Sequence, residues 1–450
     1  MVSGLLRRVI STGKAYLSGS GLGPTLLKAL TGSAGLRVLG MMLGFLVGVQ
    51  LARGLGAEGY GVYGLAMSIV TLLGVPIQFG LPQLLTREVA AADVRQDWSL
   101  LRGILLWARR AVLLTSLSVA TAALGWLLLS GQWRDSQLAV TVCAGLLLVP
   151  LSANGSIRSA ALRGLRHIVK GQLPDTVVKP GLHSLLLLLL PLLWIPLTPF
   201  VAMALGALAA LFALVVASAM LRKALPREVD LVQPRIESRK WWKDALPMAA
   251  TEGMRLLQAH VVILILGMTT TTTDVGIYRV AASVVTAIGV PVSLINIVCS
   301  PLIARLYAQH EEFRLRKLLG WMSMGMTVGV TLLSLPFLFG GGWLLGHVFG
   351  DQFSASSPIL LVLCAGFALS SLFGGNAALL NMVGGQGYVT RGSAISLVVL
   401  VVLCVLLTNV LGVMGAAVAN SVALVVWNVV MWRYAVLKMS FGSSVFTFKR

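Results

Sequence analysis

Apolar residues in this chain come in long blocks, without the alternation of a half-buried strand or the single stripe of a soluble amphipathic helix. The blocks number twelve: Leu30–Leu51, Tyr60–Leu81, Ile104–Leu129, Leu138–Ala160, Val177–Ile195, Phe200–Leu221, Ala245–Leu266, Ile277–Val298, Leu318–Leu338, Ile359–Leu380, Thr390–Val410 and Val413–Ala435. Each is close to the ~20 residues that a helix needs to cross the hydrocarbon layer. The pattern therefore predicts an all-α polytopic membrane protein with twelve transmembrane helices. Arg222–Asp244, the most polar internal stretch, holds seven basic and four acidic residues and separates spans six and seven. The predicted organisation is a cytoplasmic N-terminal segment 1–29, a six-helix bundle 30–221, a cytoplasmic linker 222–244, a second six-helix bundle 245–435 and a cytoplasmic tail 436–450.

The two bundles are copies. Gly61–Pro76 (GVYGLAMSIVTLLGVP) and Gly276–Pro291 (GIYRVAASVVTAIGVP) lie 215 positions apart and agree at nine of sixteen positions. Upstream, AGLRVL (Ala34–Leu39) is echoed by EGMRLL (Glu252–Leu257), which gives Arg37 and Arg255 equivalent places. A fainter echo pairs ALRGL (Ala161–Leu165) with ALLNM (Ala378–Met382), each closing a fourth span. Six spans per half is an even number, so both halves enter the membrane the same way. Their repeat axis should run along the membrane normal, with substrate between the bundles.

Composition agrees with a membrane protein. The chain is 57% hydrophobic and 11% charged, against ~25% charged in soluble domains. The net charge of +20 does not indicate a nucleic-acid partner, because the basic residues are dispersed. With both termini in the cytoplasm, predicted inside segments hold thirty of the thirty-five Lys and Arg. Outside loops hold three (Arg53, Arg134, Arg279), and the remaining two are Arg37 and Arg255. That distribution follows the positive-inside rule and suits a cytoplasmic face beside anionic lipid. The first 29 residues show no compact apolar core with a cleavage site, so the first span is expected to direct insertion itself. Cys143, Cys299, Cys364 and Cys404 all lie in apolar blocks and read as small packing residues.

Arg37 and Arg255 carry the chemistry most worth testing. An arginine in mid-span costs about 2.5–3.5 kcal/mol on insertion scales unless it faces water or a partner. One reading has both guanidiniums clamping an anion in a central cavity, where their planar forks fit phosphate oxygens. The other pairs Arg255 with Glu252 one turn earlier and lets Arg37 snorkel to the inner surface. Asp175, Lys179 and His183, spaced i, i+4, i+8 after Pro174, are expected on one helical face. They form either a polar stripe in the cavity, with Lys179 as an anion ligand and His183 as a proton carrier, or an interfacial helix start with an Asp175–Lys179 pair. Asn154 and Arg158 form a second i, i+4 pair near the inside end of span four. His260 joins Asp175, His183 and Glu252 as a candidate proton site.

Pro76 and Pro291, in the twin GVP motifs late in spans two and eight, are either symmetric hinges or static bends. Gly54–Gly61 should form a tight outside turn. No GxxxxGK[ST], HExxH or nucleophile motif occurs, so no enzyme activity, cofactor or metal is expected. The only acids facing outside are Glu58, Asp135, Asp274 and Asp351, all in short loops.

The run LARGLGAEGYGVYGLAMSIVTLLGVPIQFGLPQLLTREVA (Leu51–Ala90) resembles the start of bacterial polysaccharide-export proteins of the Wzx type. These are oligosaccharide flippases of the multidrug/oligosaccharidyl-lipid/polysaccharide exporter (MOP) superfamily. LRGLRH (Leu162–His167) and LLNMVGGQG (Leu379–Gly387) resemble segments closing the fourth and tenth helices there. The resemblance implies a V of two six-helix bundles around a cavity that opens alternately to either side. It implies a bacterial inner-membrane location and an oligosaccharide on a polyprenyl diphosphate as cargo, moved from the cytoplasmic to the periplasmic leaflet. Arg37 and Arg255 would then hold the diphosphate. Membrane lipids, a polysaccharide polymerase and export machinery are the implied partners. The rival is a drug/cation antiporter of the same superfamily, which should carry acids deep in a bundle; within the expected spans Glu252 is the only one. A membrane-bound transferase or a scaffold is the third class.

Overall fold

The computed structural model describes residues 22–130 and 136–439. Most of the expected N-terminal segment, the loop with Arg134 and Asp135, and the tail beyond Met439 lie outside the described residues. Every described element is helical. The first is one helical run, Leu22–Gln78, interrupted at Gly56 (φ 68°, ψ −179°). Positive φ with extended ψ is essentially confined to glycine, which adopts it freely. The break separates α1 (22–55) from α2 (57–78). The expected turn over Gly54–Gly61 is thereby corrected: helix continues up to a single residue on either side.

The chain goes on through α3 (Leu81–Arg95), α4 (Trp98–Ser130), α5 (Gln137–Gly164), α6 (Ile168–Leu193) and α7 (Pro199–Ala224). A short α8 (Glu228–Leu231) precedes α9 (Ser238–Thr269), α10 (Thr272–Ile288), α11 (Val290–Ala308), α12 (Glu312–Phe349), α13 (Ser357–Ser371), α14 (Asn376–Met382), α15 (Gln386–Leu411) and α16 (Val413–Met439). Among the described residues, eleven helical stretches are long and apolar enough to cross a membrane. The first, Gly32–Arg95, has 64 residues, about 96 Å of helix at 1.5 Å per residue, or three bilayer cores. Broken at Gly56 it supplies two crossings, which makes twelve.

Spans two and eight run past their expected ends. In α3, beyond the apolar block, the Arg87 guanidinium pairs with Glu88 and with Asp244 at the start of the second half. Pro76 and Pro291 consequently lie inside long two-part helices and not near their ends. Pro76 precedes the joint at Phe79–Gly80 (φ 37° and 68°), and Pro291 follows the α10–α11 joint at Gly289.

Helix also takes both ends of the expected linker, leaving residues 225–237 between α7 and α9. This segment is tied to the start of α4. The Arg235 N–H donates to the Ser99 carbonyl (2.9 Å), and Arg102 donates to the carbonyls of Asp230 (2.9 Å) and Val232 (2.6 Å). Just beyond, Trp241 is fully buried with its ring 5.2 Å from Trp107. Trp242 packs on Trp107 and Phe79. The second half thus begins on the body of the first.

The halves meet most tightly at the end of the molecule away from the termini. A methyl group added at Gly61 would lie 1.7 Å from the Thr272 carbonyl oxygen, and one at Gly276 would lie 2.0 Å from that of Ala57. Ala57 and Thr272 are themselves 215 residues apart, so the contact maps onto itself under the repeat. Arg53 donates to the carbonyls of His347 and Val348, and Gln352 accepts from the Ala57 N–H (3.0 Å). Toward the termini the same helices are open. No residue of 32–50 in α1 is buried, and α11 buries only Ile303.

Candidate substrate cavity

Four cavities follow one another across the molecule and share walls. The first, about 310 Å³, lies within the N-terminal bundle among α2, α5 and α6 and is lined by Thr71, Gln78, Ser152, Ser156, Asp175 and Lys179. Gln78, Ser156 and Asp175 also line the second, about 300 Å³, where Gln83, Arg163, Glu252 and Arg255 appear. Gln83, Glu252 and Arg255 pass into the third, about 610 Å³, bounded by α9, α15 and α16. Leu424 and Trp427 then separate it from the fourth, about 340 Å³, in the C-terminal bundle.

Arg255 stands where the bundles adjoin. Its Nε donates to Glu252 Oε2 (3.1 Å) and its Nη2 to Oε1 (2.5 Å), while its side chain stays 65% exposed. A guanidinium has five N–H donors, and this side-on pair engages one edge. The Nη1 edge remains for a second, anionic partner. Arg255 is thus paired with Glu252 and also lines the second and third cavities.

Arg37 is placed differently. It is exposed and lines none of the four cavities, and among the described residues it has no hydrogen-bond or ion-pair partner. The packed stripe of α1 holds Ser33, which donates to Gln172 (2.9 Å), and Gly40, set against Thr176. Phe45 touches Phe349 of the other half at 5.6 Å. At 100° per residue, Arg37 falls between that stripe and the flank of Phe45. The structure does not join Arg37 and Arg255 in one cavity.

The Asp175–Lys179–His183 stripe divides. Asp175 and Lys179 both face the first cavity, and Lys179 donates to Ser152 (3.0 Å). His183 is 7% exposed and sits on Gly206 of α7, turned from that cavity. Eight residues advance an α-helix by two turns and 80°, which carries His183 off the face that holds Asp175. The expectation of one shared face is corrected on that ground. No Asp175–Lys179 salt bridge forms among the described residues. Helix α6 begins at Ile168, so Asp175 lies within a span, as Glu252 does.

The remaining candidates are packing groups. Asn154 donates to the Pro150 carbonyl (2.9 Å), and Arg158 donates to the Asn154 carbonyl (2.8 Å). His260 Nδ1 lies 3.1 Å from Ser68 Oγ, across the α9–α2 contact. Sequence reasoning missed Arg163, Gln78, Gln83 and the amides of the fourth cavity. Polar residues inside apolar blocks were the available signal. Across the first two cavities the charged groups are Lys179, Arg163 and Arg255 against Asp175 and Glu252, one positive charge in excess.

A polysaccharide biosynthesis protein family matches residues 27–307. No curated protein matches the chain. Among solved structures, the inward-facing conformation of a multidrug resistance MATE family transporter of the MOP superfamily superposes with a TM-score of 0.74 at 14% identity, over 90% of this chain and 98% of that one. The outward-facing conformation of such a transporter gives 0.61 at 16%, over 94% and 97%. The lipid II flippase MurJ in an inward closed conformation gives 0.68 at 11%, over 89% and 87%. The fold is therefore the one seen in these MATE and MurJ structures.

Proposed function

Because the chain belongs to the polysaccharide biosynthesis protein family, and is a multi-pass membrane protein with the fold of MOP-superfamily transporters, we propose that it is a flippase for a polyprenyl-diphosphate-linked oligosaccharide. It moves this lipid from the cytoplasmic to the periplasmic leaflet of the bacterial inner membrane, with both termini in the cytoplasm. The observation that carries the reading is Arg255: a guanidinium at the junction of the bundles, oriented by Glu252, with a free edge in a wet cavity. Arg163 and Lys179 stand on the N-terminal side of the same cavity system.

The mechanism follows from the arrangement. The mouth between α1 and α11 admits the lipid from the termini side, and Arg37 on the flank of α1 meets the anion first. The diphosphate then exchanges water for Arg255, Arg163 and Lys179, whose fixed positions require little reorganisation. Opening the Gly61–Gly276 contact while closing α1 on α11 exposes the cargo to the other side. Export machinery and a polysaccharide polymerase would take it there. In a deletion strain the lipid-linked glycan should accumulate on the inner leaflet and surface polymer should vanish. Arg255→Gln should lower export about tenfold or more with normal insertion, and Arg255→Lys should retain part of it; normal surface polymer in the deletion strain would refute the reading.

Asp175, within a span and without an ion-pair partner among the described residues, favours a second reading. It is a cation-coupled antiporter of drugs or small molecules. Resistance to cationic drugs that depends on Asp175 would support it.

A further inference from the structure

The cavity system is divided by charge. All its ionised side chains lie in the first two cavities or on the shared wall at Arg255 and Glu252. The fourth cavity has none. Its polar lining is amide and hydroxyl: Asn296 and Ser300 from α11, Ser370 from α13, Asn381 from α14 and Asn428 from α16, with Trp427 at its entrance. Asn296 Oδ1 is shielded from solvent and has no hydrogen-bond partner. The Asn381 side chain makes no hydrogen bond among the described residues, whereas Asn428 donates to Ser370 (2.5 Å). A buried amide oxygen without a donor is costly, and a turn of the Asn296 side chain away from Gly375 into the cavity would let a bound donor relieve that cost.

We propose that this fourth cavity is the saccharide subsite, holding neutral sugar rings while the diphosphate sits at Arg255 and the N-terminal bundle. The inference rests on the flippase reading and assigns the two ends of its cargo to different bundles. Amides offer a donor and an acceptor together, as a sugar hydroxyl or acetamido group requires. The absence of charge favours an uncharged ring over a uronic acid, which would enter without a counter-ion. The volume, about 340 Å³, falls within the ~300–1,000 Å³ of small-ligand sites. Trp427 lines both the third and fourth cavities and holds its Nε1 on Ser393 (3.3 Å). Its ring gives the glycan a flat apolar face on the way from Arg255 inward.

The test is binding to the full-length protein in lipid nanodiscs. Three probes are compared: polyprenyl diphosphate, the same lipid carrying a neutral trisaccharide, and the free trisaccharide at millimolar concentration. The wild type should bind the glycosylated lipid about tenfold or more tightly than the bare one, since a site built to hydrogen-bond a hydroxyl penalises its loss. Asn296→Leu should abolish that preference, and so should the surface-accessible Asn381→Ala, which does not put folding at risk. Neither should weaken the bare diphosphate, while Arg255→Gln should weaken both lipids alike. A preference that survives both Asn variants, or equally tight binding of the two lipids by the wild type, overturns the subsite and leaves the flippase reading standing. Asn-dependent binding of the free trisaccharide with no binding of either lipid supports the subsite and refutes the flippase.

Discussion

At Gly61 and Gly276 the two halves of the chain present the same residue to each other across the repeat axis. Three residues further on they present Gly64 and Arg279. At the first pair neither position has room for a Cβ, because the opposing backbone fills the space. At the second, one half fills the space and the other vacates it. The Arg279 guanidinium lies 5.0 and 5.1 Å from the rings of Tyr60 and Tyr63, and its Nη1 falls 2.5 Å from where a Gly64 Cβ would be. Two arginines there would collide and repel. At this closeness of approach, where backbone lies against backbone, the symmetric pair has room for no side chain. A larger group must be held by one copy alone.

The largest effect should come from filling the symmetric contact. Gly61→Leu or Gly276→Leu forces α2 and α10 apart, and export should fall by about tenfold or more, since overpacking typically costs 1–3 kcal/mol. In the same variants a Met67→Cys probe in the first cavity should become reactive to an impermeant thiol reagent from the side away from the termini. Unchanged labelling would mean that this contact is no seal. A smaller effect is expected at the asymmetric pair. Arg279→Ala removes two cation–π contacts of about 0.5–1 kcal/mol each and should loosen the same seal several-fold. The exchange Gly64→Arg with Arg279→Gly should recover part of the loss, and an exchange no better than Arg279→Ala would show that the vacancy at Gly64 is incidental.

The smallest effect separates this seam from the other place where the halves are joined, the linker on the termini side. Asp97 there accepts from the Leu100 N–H (3.0 Å) and the Ser99 hydroxyl (2.7 Å) and pairs with Arg235 (3.1 Å). The Leu100 N–H, then the Ser99 hydroxyl and Arg235, hold its carboxyl below the usual aspartate value. A depressed carboxylate adds stability above the unfolded pKa of about 4, and that stability is lost as pH falls through the lowered value. Thermal stability of the purified protein should therefore drop slightly below about pH 4. Asp97→Asn should flatten the drop without altering the cysteine labelling.

The helices and the duplication were legible because apolar block length and repeated letters are properties of the chain itself. The single-residue break at Gly56 was not, since GLGAEGYG is as good a loop as it is two helix ends. His183 was misjudged because i, i+8 looks aligned on paper while a helix turns it aside. The equivalence of Arg37 and Arg255 in the sequence did not carry into equivalent surroundings. Arg255 has Glu252 and lines the cavity system, whereas Ala34, the matching position before Arg37, supplies no carboxylate. The amides of the fourth cavity come from three helices, Asn296, Asn381 and Asn428, and no spacing links residues brought together only by packing.

The tie between residues 225–237 and α4, with Trp241 set into Trp107, redraws the map of moving parts. Counted by ancestry, the second half starts after the linker. Counted by mechanics, the first turns of α9 travel with the N-terminal body, so rocking must bend α9 itself above its anchored foot. Pro247 lies within that helix, just past the anchor. In the proposed cycle the pivot would then be a joint inside a span, and a longer or looser connection between the halves would not free the two bodies from each other.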